Sequence, residues 1–392
     1  MRSCALALVL FSLAAASPSA QDAQEPAAAQ APTPAQEPAS WNLGGSLTMQ
    51  PTAAYAGAGS FDLSNFSYGS GTTLSLVLRA GGGRARAEAS AEAAVLTGSS
   101  AQLAWAIAAS PYGRADELLL PPSSSSSPGA DAAMAARIRT LFVKLSFDWA
   151  SFTAGRQVVN YGRGALWSPT DIFTELDLSG ISPVRRGSDG VRVVVPLGVT
   201  GALDVVAAPT SSPGSGRYAA RLGGLIGDVD AAVMAARDGA AKGWIAGADF
   251  KTDLIVGLHA DAVYVQPDSG GWGFVRAAAG ADWSIGDFII AAEYYYNGGG
   301  ASADLLFPGT HNVHGSLTWA SSELLKLSLA VTGDVQRAAG TASLIASISA
   351  AQNADVSAYL QAGNGSAGYG LGYGVGGATW SAQAGVAVQV KF

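Results

Sequence analysis

The chain has 392 residues, room for one large β-domain or two to three ordinary domains. Only 13% of its residues are charged while 49% are hydrophobic, about half the usual charged share, so the chain either buries itself unusually well or faces something other than water. The net charge of −7 speaks against nucleic acid as a partner, because a phosphate-binding surface needs an excess of Lys and Arg.

The start reads MRSCALALVLFSLAAASPSAQ. Arg2 precedes the apolar run Cys4 to Ala16, and small residues follow, which is the pattern of a secretory signal peptide over 1–20, cut between Ala16 and Ala20. Cys4 is the only cysteine, so the mature chain is expected to carry no disulfide and no thiolate metal site. Residues 21–40, QDAQEPAAAQAPTPAQEPAS, have no apolar periodicity and read as a flexible linker. Beyond them no apolar run reaches the ~18–20 residues of a membrane-spanning helix. The remaining 41–392 form one domain.

Its segments alternate. Residues 41–70 are the least clear. In TTLSLVLRA, Leu74, Leu76 and Leu78 share a face. In GRARAEASAEAAVL, Arg84, Arg86, Glu88, Ser90 and Glu92 take every second position with alanines between; a helix would scatter these charges, whereas a strand aligns them on one wet face. Arg137 and Arg139 share parity with Leu141, Val143 and Leu145. On a lipid face mid-membrane each arginine would cost ~2–4 kcal/mol, so they lie beyond the bilayer or a bulge shifts the register. Further on, Val191, Val193, Val195 and Leu197 oppose Arg192. Leu254, Val256, Leu258, Ala260, Ala262 and Tyr264 oppose His259 and Asp261, Val275 to Trp283 oppose Arg276 and Asp282, and Phe288 to Tyr296 oppose Glu293. Leu325 to Val331 oppose Lys326 and Ser328, and Trp380 to Phe392 oppose Gln383, Gln389 and Lys391.

Short connections (Gly227–Asp228, Lys251–Asp253, Gly286–Asp287) trade places with long Gly/Ser/Pro-rich ones, and Trp41, Trp244, Trp272, Trp283, Trp380, Tyr294 and Tyr296 sit near strand ends as interfacial girdles would. The fold class expected is all-β: a transmembrane antiparallel up-and-down β-barrel. About nineteen segments can be counted, but a barrel with both ends on one side needs an even number, which gives 18 strands, with 16 as the fallback. A secreted sandwich or solenoid also alternates, but it hides its apolar face and needs neither the low charge nor the loop rhythm.

The ending GVAVQVKF, with Val386, Val388, Val390 and Phe392, resembles the closing strand of Gram-negative outer-membrane barrels. That resemblance implies recognition by the barrel-assembly machinery and residence in outer-membrane lipid. The stretch FVKLSFDWASFTAGRQVVNYGRGALWSPTDIFTELDL is similar to a segment of porin-like barrels of the alginate-export type, through Gly155, Arg156, Gln157, Tyr161, Gly162, Ser168, Pro169 and Asp171. It departs at Tyr161, where tryptophan is common, and at Glu175-Leu176-Asp177, where Asn-Pro is common. Gly162 and Gly164 would end a strand and Ser168-Pro169 would open a turn. The loop that follows, to about Arg186, carries Trp167, Ile172, Phe173 and Leu176, too apolar for a loop in water. It is expected to fold inward and narrow a pore, with Arg156, Arg163, Asp171, Glu175, Asp177, Arg185 and Arg186 near the constriction. The alternative is an extracellular loop packed on its neighbours.

The inward charges divide. Arg79, Arg84, Arg86, Lys144, Arg156, Arg192, Arg217 and Arg221 outnumber Glu88, Glu92 and Asp204 in the first half. Asp249, Asp261, Asp282, Glu293 and Asp334 outnumber the basic residues in the second. A transverse field across a water channel would follow, unless these charges are solvated lining. His259 and Asp261 share a face and could form a base–orienter pair, but no nucleophile is marked. In HNVH the spacing turns His311 and His314 to opposite faces, and GYGLGYGVGG lacks the context of a phosphate loop. No cofactor and no metal are expected. The function expected is a porin-like channel for small hydrophilic solutes in the outer membrane of a Gram-negative-type bacterium. A structural or adhesive barrel with a plugged pore is the alternative and a barrel hydrolase the third reading. The sequence leaves homo-oligomerisation open.

Overall fold

The computed structural model describes residues 40–57, 65–101, 123–125, 131–173, 175–177, 184–212, 214–300, 304, 307, 309–365 and 379–392. The expected signal peptide and all of the expected linker except Ser40 lie outside these residues, as does most of the glycine-rich stretch before the last strand. Ser40 already opens the first strand.

In chain order the strands are β1 (Ser40–Gly57), β2 (Phe66–Gly82), β3 (Ala85–Gly98), β4 (Ser123–Ser125), β5 (Ala132–Ser146), β6 (Ser151–Gln157), β7 (Glu175–Asp177), β8 (Val184–Arg186), β9 (Ser188–Leu197), β10 (Gly201–Ala208), β11 (Arg217–Ile226), β12 (Val229–Asp238), β13 (Gly243–Asp253), β14 (Gly257–Pro267), β15 (Phe274–Ile285), β16 (Phe288–Asn297), β17 (His311–Ala320), β18 (Leu325–Asp334), β19 (Ala339–Ala351), β20 (Ala354–Gly365) and β21 (Thr379–Lys391). The main sheet has nineteen strands. One of them, β4, only rides on residues 134–136 of β5. The other eighteen pair antiparallel in sequence and close on themselves where β1 meets β21, from Ser46 opposite Lys391 to Gly57 opposite Trp380. β7 and β8 form a separate hairpin. The cylinder therefore has the 18 strands expected, and the unclear 41–70 region supplies β1 and the start of β2.

Period-2 alternation decides which way each side chain points. Leu74, Leu76, Leu78, Leu222, Val233, Leu258, Val275, Ile290, Leu329 and Val388 stay exposed. Their polar neighbours Glu92, Asp204, Asp249, His259, Asp261, Glu293 and Asp334 are buried. A closed sheet gives one parity to its outside and one to its inside, so the bare apolar set is the outer surface. The connections follow the same logic. Eight reversals of two to four residues (83–84, 147–150, 198–200, 227–228, 254–256, 286–287, 321–324 and 352–353) lie at the end where β1 starts and β21 finishes, and the other end carries the long connections together with one four-residue turn, 239–242. Exposed aromatics mark both rims: Trp41, Trp283 and Phe288 at the short-turn rim, Trp244, Trp272 and Tyr294 at the other.

One expected turn moves. Lys251–Asp253 does not reverse the chain; these residues stay paired with His259, Leu258 and Gly257, and the reversal is made by the apolar Leu254–Val256. The ladder continues to Asp253, so three residues that look like the next strand are left at the tip. The arginine puzzle resolves through a bulge: Ser90 pairs Thr140 but Ala91 pairs Ile138, leaving Arg139 as the extra residue. The slip turns Arg137 off the outer face, and both arginines reach Glu92, at 2.5 Å from Arg137 and 3.2 Å from Arg139.

Candidate functional site

The segment 158–173 leaves β6 and folds against the inner wall. Gly155 launches it: its φ of 116° suits glycine alone, and Leu141 and Phe142 leave no room for a Cβ there. Next to it Arg156 is 1% exposed. Its Nε and Nη2 donate to Asp189 at 2.8 and 2.9 Å, and Nη1 donates to the Ile138 carbonyl at 2.9 Å. This bidentate pair locks β6 to β9 below the loop's root. Arg156 was expected near a constriction; it is sealed from water.

Apolar side chains then seat the loop. Val159, Tyr161, Ile172 and Phe173 pack on Val206, Ala208, Ala219, Met234, Ala236, Ile245, Val263 and Val265, inward residues of β10 to β14. Trp167 stacks on Tyr295 at 5.4 Å and meets Phe307 edge-on at 5.2 Å. The apolar content that looked excessive for a loop is thus an internal core between the loop and the wall.

Acidic residues on four strands clamp the loop's polar tip. Arg163 donates through Nη1 to Asp230 at 2.6 Å and through Nε to Asp249 at 2.9 Å, and its backbone N–H donates to Asp261 at 3.4 Å. Asp249 also accepts from Arg221 at 2.7 Å, and the Arg221 guanidinium lies over the Tyr161 ring at 5.4 Å. Glu293 accepts the backbone N–H groups of Ala165 and Leu166 at 2.8 and 2.7 Å and bonds His259 Nε2 at 2.8 Å. Thr170 donates to Asp261 at 3.4 Å. Carboxylates so enclosed are stabilised only because charged or backbone donors surround them. Within the tip, Gly162 N–H donates to Asn160 and Gly164 N–H donates to Ser168.

The other expected residues sit as follows. Arg84 and Arg86 are exposed near the 83–84 turn, Arg84 facing Asp148 at 3.4 Å and Arg86 facing Glu88 at 3.5 Å. Arg192 pairs with Asp204 at 2.7 Å and Arg217 with Asp238 at 3.4 Å. Asp282 lies partly exposed at the short-turn end of β15 beside Gly257. Asp171 caps a tight turn through its N–H to the Ser168 carbonyl. Glu175 and Asp177 lie on β7, with Glu175 opposite Arg186 and Leu176 opposite Arg185 on β8. His311 contacts the outward Tyr294 while His314 is buried against Thr332, on opposite faces of β17. Val386, Val388 and Val390 face outward, and Phe392 closes the seam by exchanging backbone bonds with Gly45 at 2.9 and 3.0 Å.

Two readings change. His259 pairs with Glu293, not Asp261, because Gly280 lies between them on β15 and carries no side chain to keep them apart. The basic residues do not stand as an open wall facing an acidic one; Arg79, Arg84, Arg86, Arg156, Arg192, Arg217 and Arg221 each lie within ion-pair distance of a carboxylate. Sequence reasoning missed Asp189 and Asp230 as partners. Parity places Asp230 on the inward face with Met234, whereas Asp189 shares the parity of the outward Val191 and is buried only because Arg156 meets it there.

No family model matches the sequence, and no curated protein matches it. By shape the chain is similar to solved outer-membrane proteins. The outer membrane protein OpdK of Pseudomonas aeruginosa superposes over 90% of this chain and 99% of its own, at a TM-score of 0.55 and 9% identity. OccK9 (OpdG) of the same organism covers 90% and 99% at a TM-score of 0.57 and 8% identity. OccAB4 of Acinetobacter baumannii covers 89% and 98% at a TM-score of 0.56 and 8% identity. The likeness is one of fold: a whole-chain barrel of the same kind.

Proposed function

We propose that this protein is a porin-like channel of a Gram-negative outer membrane, passing small hydrophilic solutes by diffusion. The carrying observation is a closed 18-strand cylinder, apolar outside and polar inside, with residues 158–173 clamped across part of its inner face. Such a cylinder satisfies every ladder hydrogen bond in lipid, where an open edge could not persist, and barrels of this size enclose an aqueous lumen. In this reading Arg163, with Asp230, Asp249, Asp261 and Glu293, sets the constriction, and Arg84, Arg86, Glu88, Glu92, Arg192, Arg217, Arg221 and Asp282 line the water path. His259 and Glu293 hold the loop rather than catalyse.

Residues 1–20 serve export and 21–39 link to the barrel, which begins at Ser40. The Val386–Phe392 strand is the segment that the assembly machinery reads. The kinship with alginate-export barrels belongs to the same proposal. Gly155, Arg156 and Gly162, which carry it, launch and brace the loop, so the shared motif concerns how the loop enters the barrel and leaves the solute undetermined. Refolded protein in a planar lipid bilayer is expected to give discrete open steps. Inserted protein that leaves the baseline flat would overturn the channel and favour the plugged, structural barrel.

A further inference from the structure

The inner face is chemically uneven. Over β9 to β16 it carries ion pairs and is partly covered by the loop. Over β19, β20, β21 and β1 its described side chains offer hydroxyls and amides: Ser347 and Ser357 share a hydrogen bond at 2.9 Å, and Tyr359 is held by Gln50 at 2.9 Å and Gln383 at 3.1 Å. Charge among the described inward residues of these four strands is confined to Asp355 and Lys391, paired at 2.7 Å at the short-turn end.

Tyr359 is placed by an absence. Its register partner on β21 is Gly385, where a Cβ would stand 2.6 Å from the ring's Cζ and 2.7 Å from Cε1. The ring therefore lies flat across β21, its hydroxyl reaching Gln383 and, beyond the seam, Gln50 on β1. Glycine in a strand interior weakens the strand, and an aromatic ring laid over it from the next strand compensates. The ring stays partly exposed on the inward parity of β20, flanked by the partly exposed Ser357 and Gln383.

We infer that this wall is a binding track for uncharged polyhydroxylated solutes, saccharides by class; the inference rests on the channel reading and adds a solute to it. A sugar hydroxyl both donates and accepts, and so do the serine hydroxyls and the glutamine amides. The apolar C–H face of a pyranose matches an aromatic ring. Neutral partners also avoid the desolvation that a wall of unpaired ions would impose on each solute. On the opposite side the charges are engaged with one another, so they leave little field to select an ion in preference.

Full-length protein in detergent micelles, titrated calorimetrically with maltotriose, tests the track without requiring conduction. Saturable binding is expected, weakened about tenfold, or ~1.4 kcal/mol, by Tyr359→Ala and only slightly by Tyr359→Phe, which keeps the ring. Gln383→Ala removes one amide and is expected to weaken binding without disturbing the barrel. Trigalacturonate, an anionic trisaccharide, is expected to bind less well than maltotriose. Wild-type protein that takes up no maltotriose, or a folded Tyr359→Ala variant that binds as wild type, overturns the track. If Tyr359→Ala does not fold, unaltered binding in Gln383→Ala overturns it instead. Open steps in a bilayer together with no calorimetric binding would leave the channel standing and the saccharide track lost; binding without steps would do the reverse.

Discussion

Gly164 shows how closely the loop tip is fitted. A Cβ there would overlap the Trp167 carbonyl oxygen and press on Glu293, the carboxylate that holds the Ala165 and Leu166 N–H groups. Gly164→Ala is therefore expected to loosen the tip by about 1–3 kcal/mol, the usual penalty of overpacking. The strands need nothing from this residue, so barrel folding, read by heat-modifiable gel mobility, should be unchanged while open-channel current becomes larger and noisier. A current trace identical to wild type would sink this account of the tip. At this scale the sequence was only partly legible. Shared parity put His259 and Asp261 on one face, but their meeting partners depended on Gly280, whose missing side chain lets His259 and Glu293 touch across β15. Asp230 escaped for the same reason, since a face can be read from alternation and a neighbour cannot, and Asp189 escaped because its parity is that of the outward Val191.

The elements were more legible, because a half-buried strand writes its two faces in period 2. The leucines of β2, the valines of β21 and the alanine face of β3 all point as expected. Even the misfit arginines of β5 were informative: charges on the wrong parity left either a place beyond the bilayer or a bulge, and a bulge is present with Arg139 as its extra residue. The failure at Leu254–Val256 has an equally plain cause. Three apolar residues continue an apolar strand in one dimension, and only pairing shows that they form the reversal. The two faces of β18 test the assignment. Leu329 points outward and is 45% exposed, while Ser328 points inward and pairs with Thr318. Leu329→Arg should cost about 2–4 kcal/mol if it sits at mid-membrane depth, and Ser328→Arg, able to extend into hydrated space, much less. Denaturant titration of each variant folded in lipid vesicles measures the difference, and equal costs would contradict the assignment of faces.

For the molecule as a whole, the question is what the interior charges do together. A basic half facing an acidic half would make a field across the channel, but most of these charges sit within ion-pair distance of an opposite one. Arg192 holds Asp204, Arg221 and Arg163 share Asp249, and Arg137 and Arg139 share Glu92. Charges so paired cancel over the ~8–10 Å beyond which salt screens them in any case, so the open lumen should discriminate only weakly between ions. Breaking the pairs on one side should then expose the other. Arg84→Gln, Arg86→Gln and Arg192→Gln combined leave Asp148 and Asp204 without these partners and make the lumen more negative, so the cation-to-anion permeability ratio should rise. Adding Asp204→Asn should bring it back toward wild type. Reversal potentials in a planar bilayer under a KCl gradient read both shifts, and a ratio indifferent to the triple substitution would mean that these arginines do not face the conducting water.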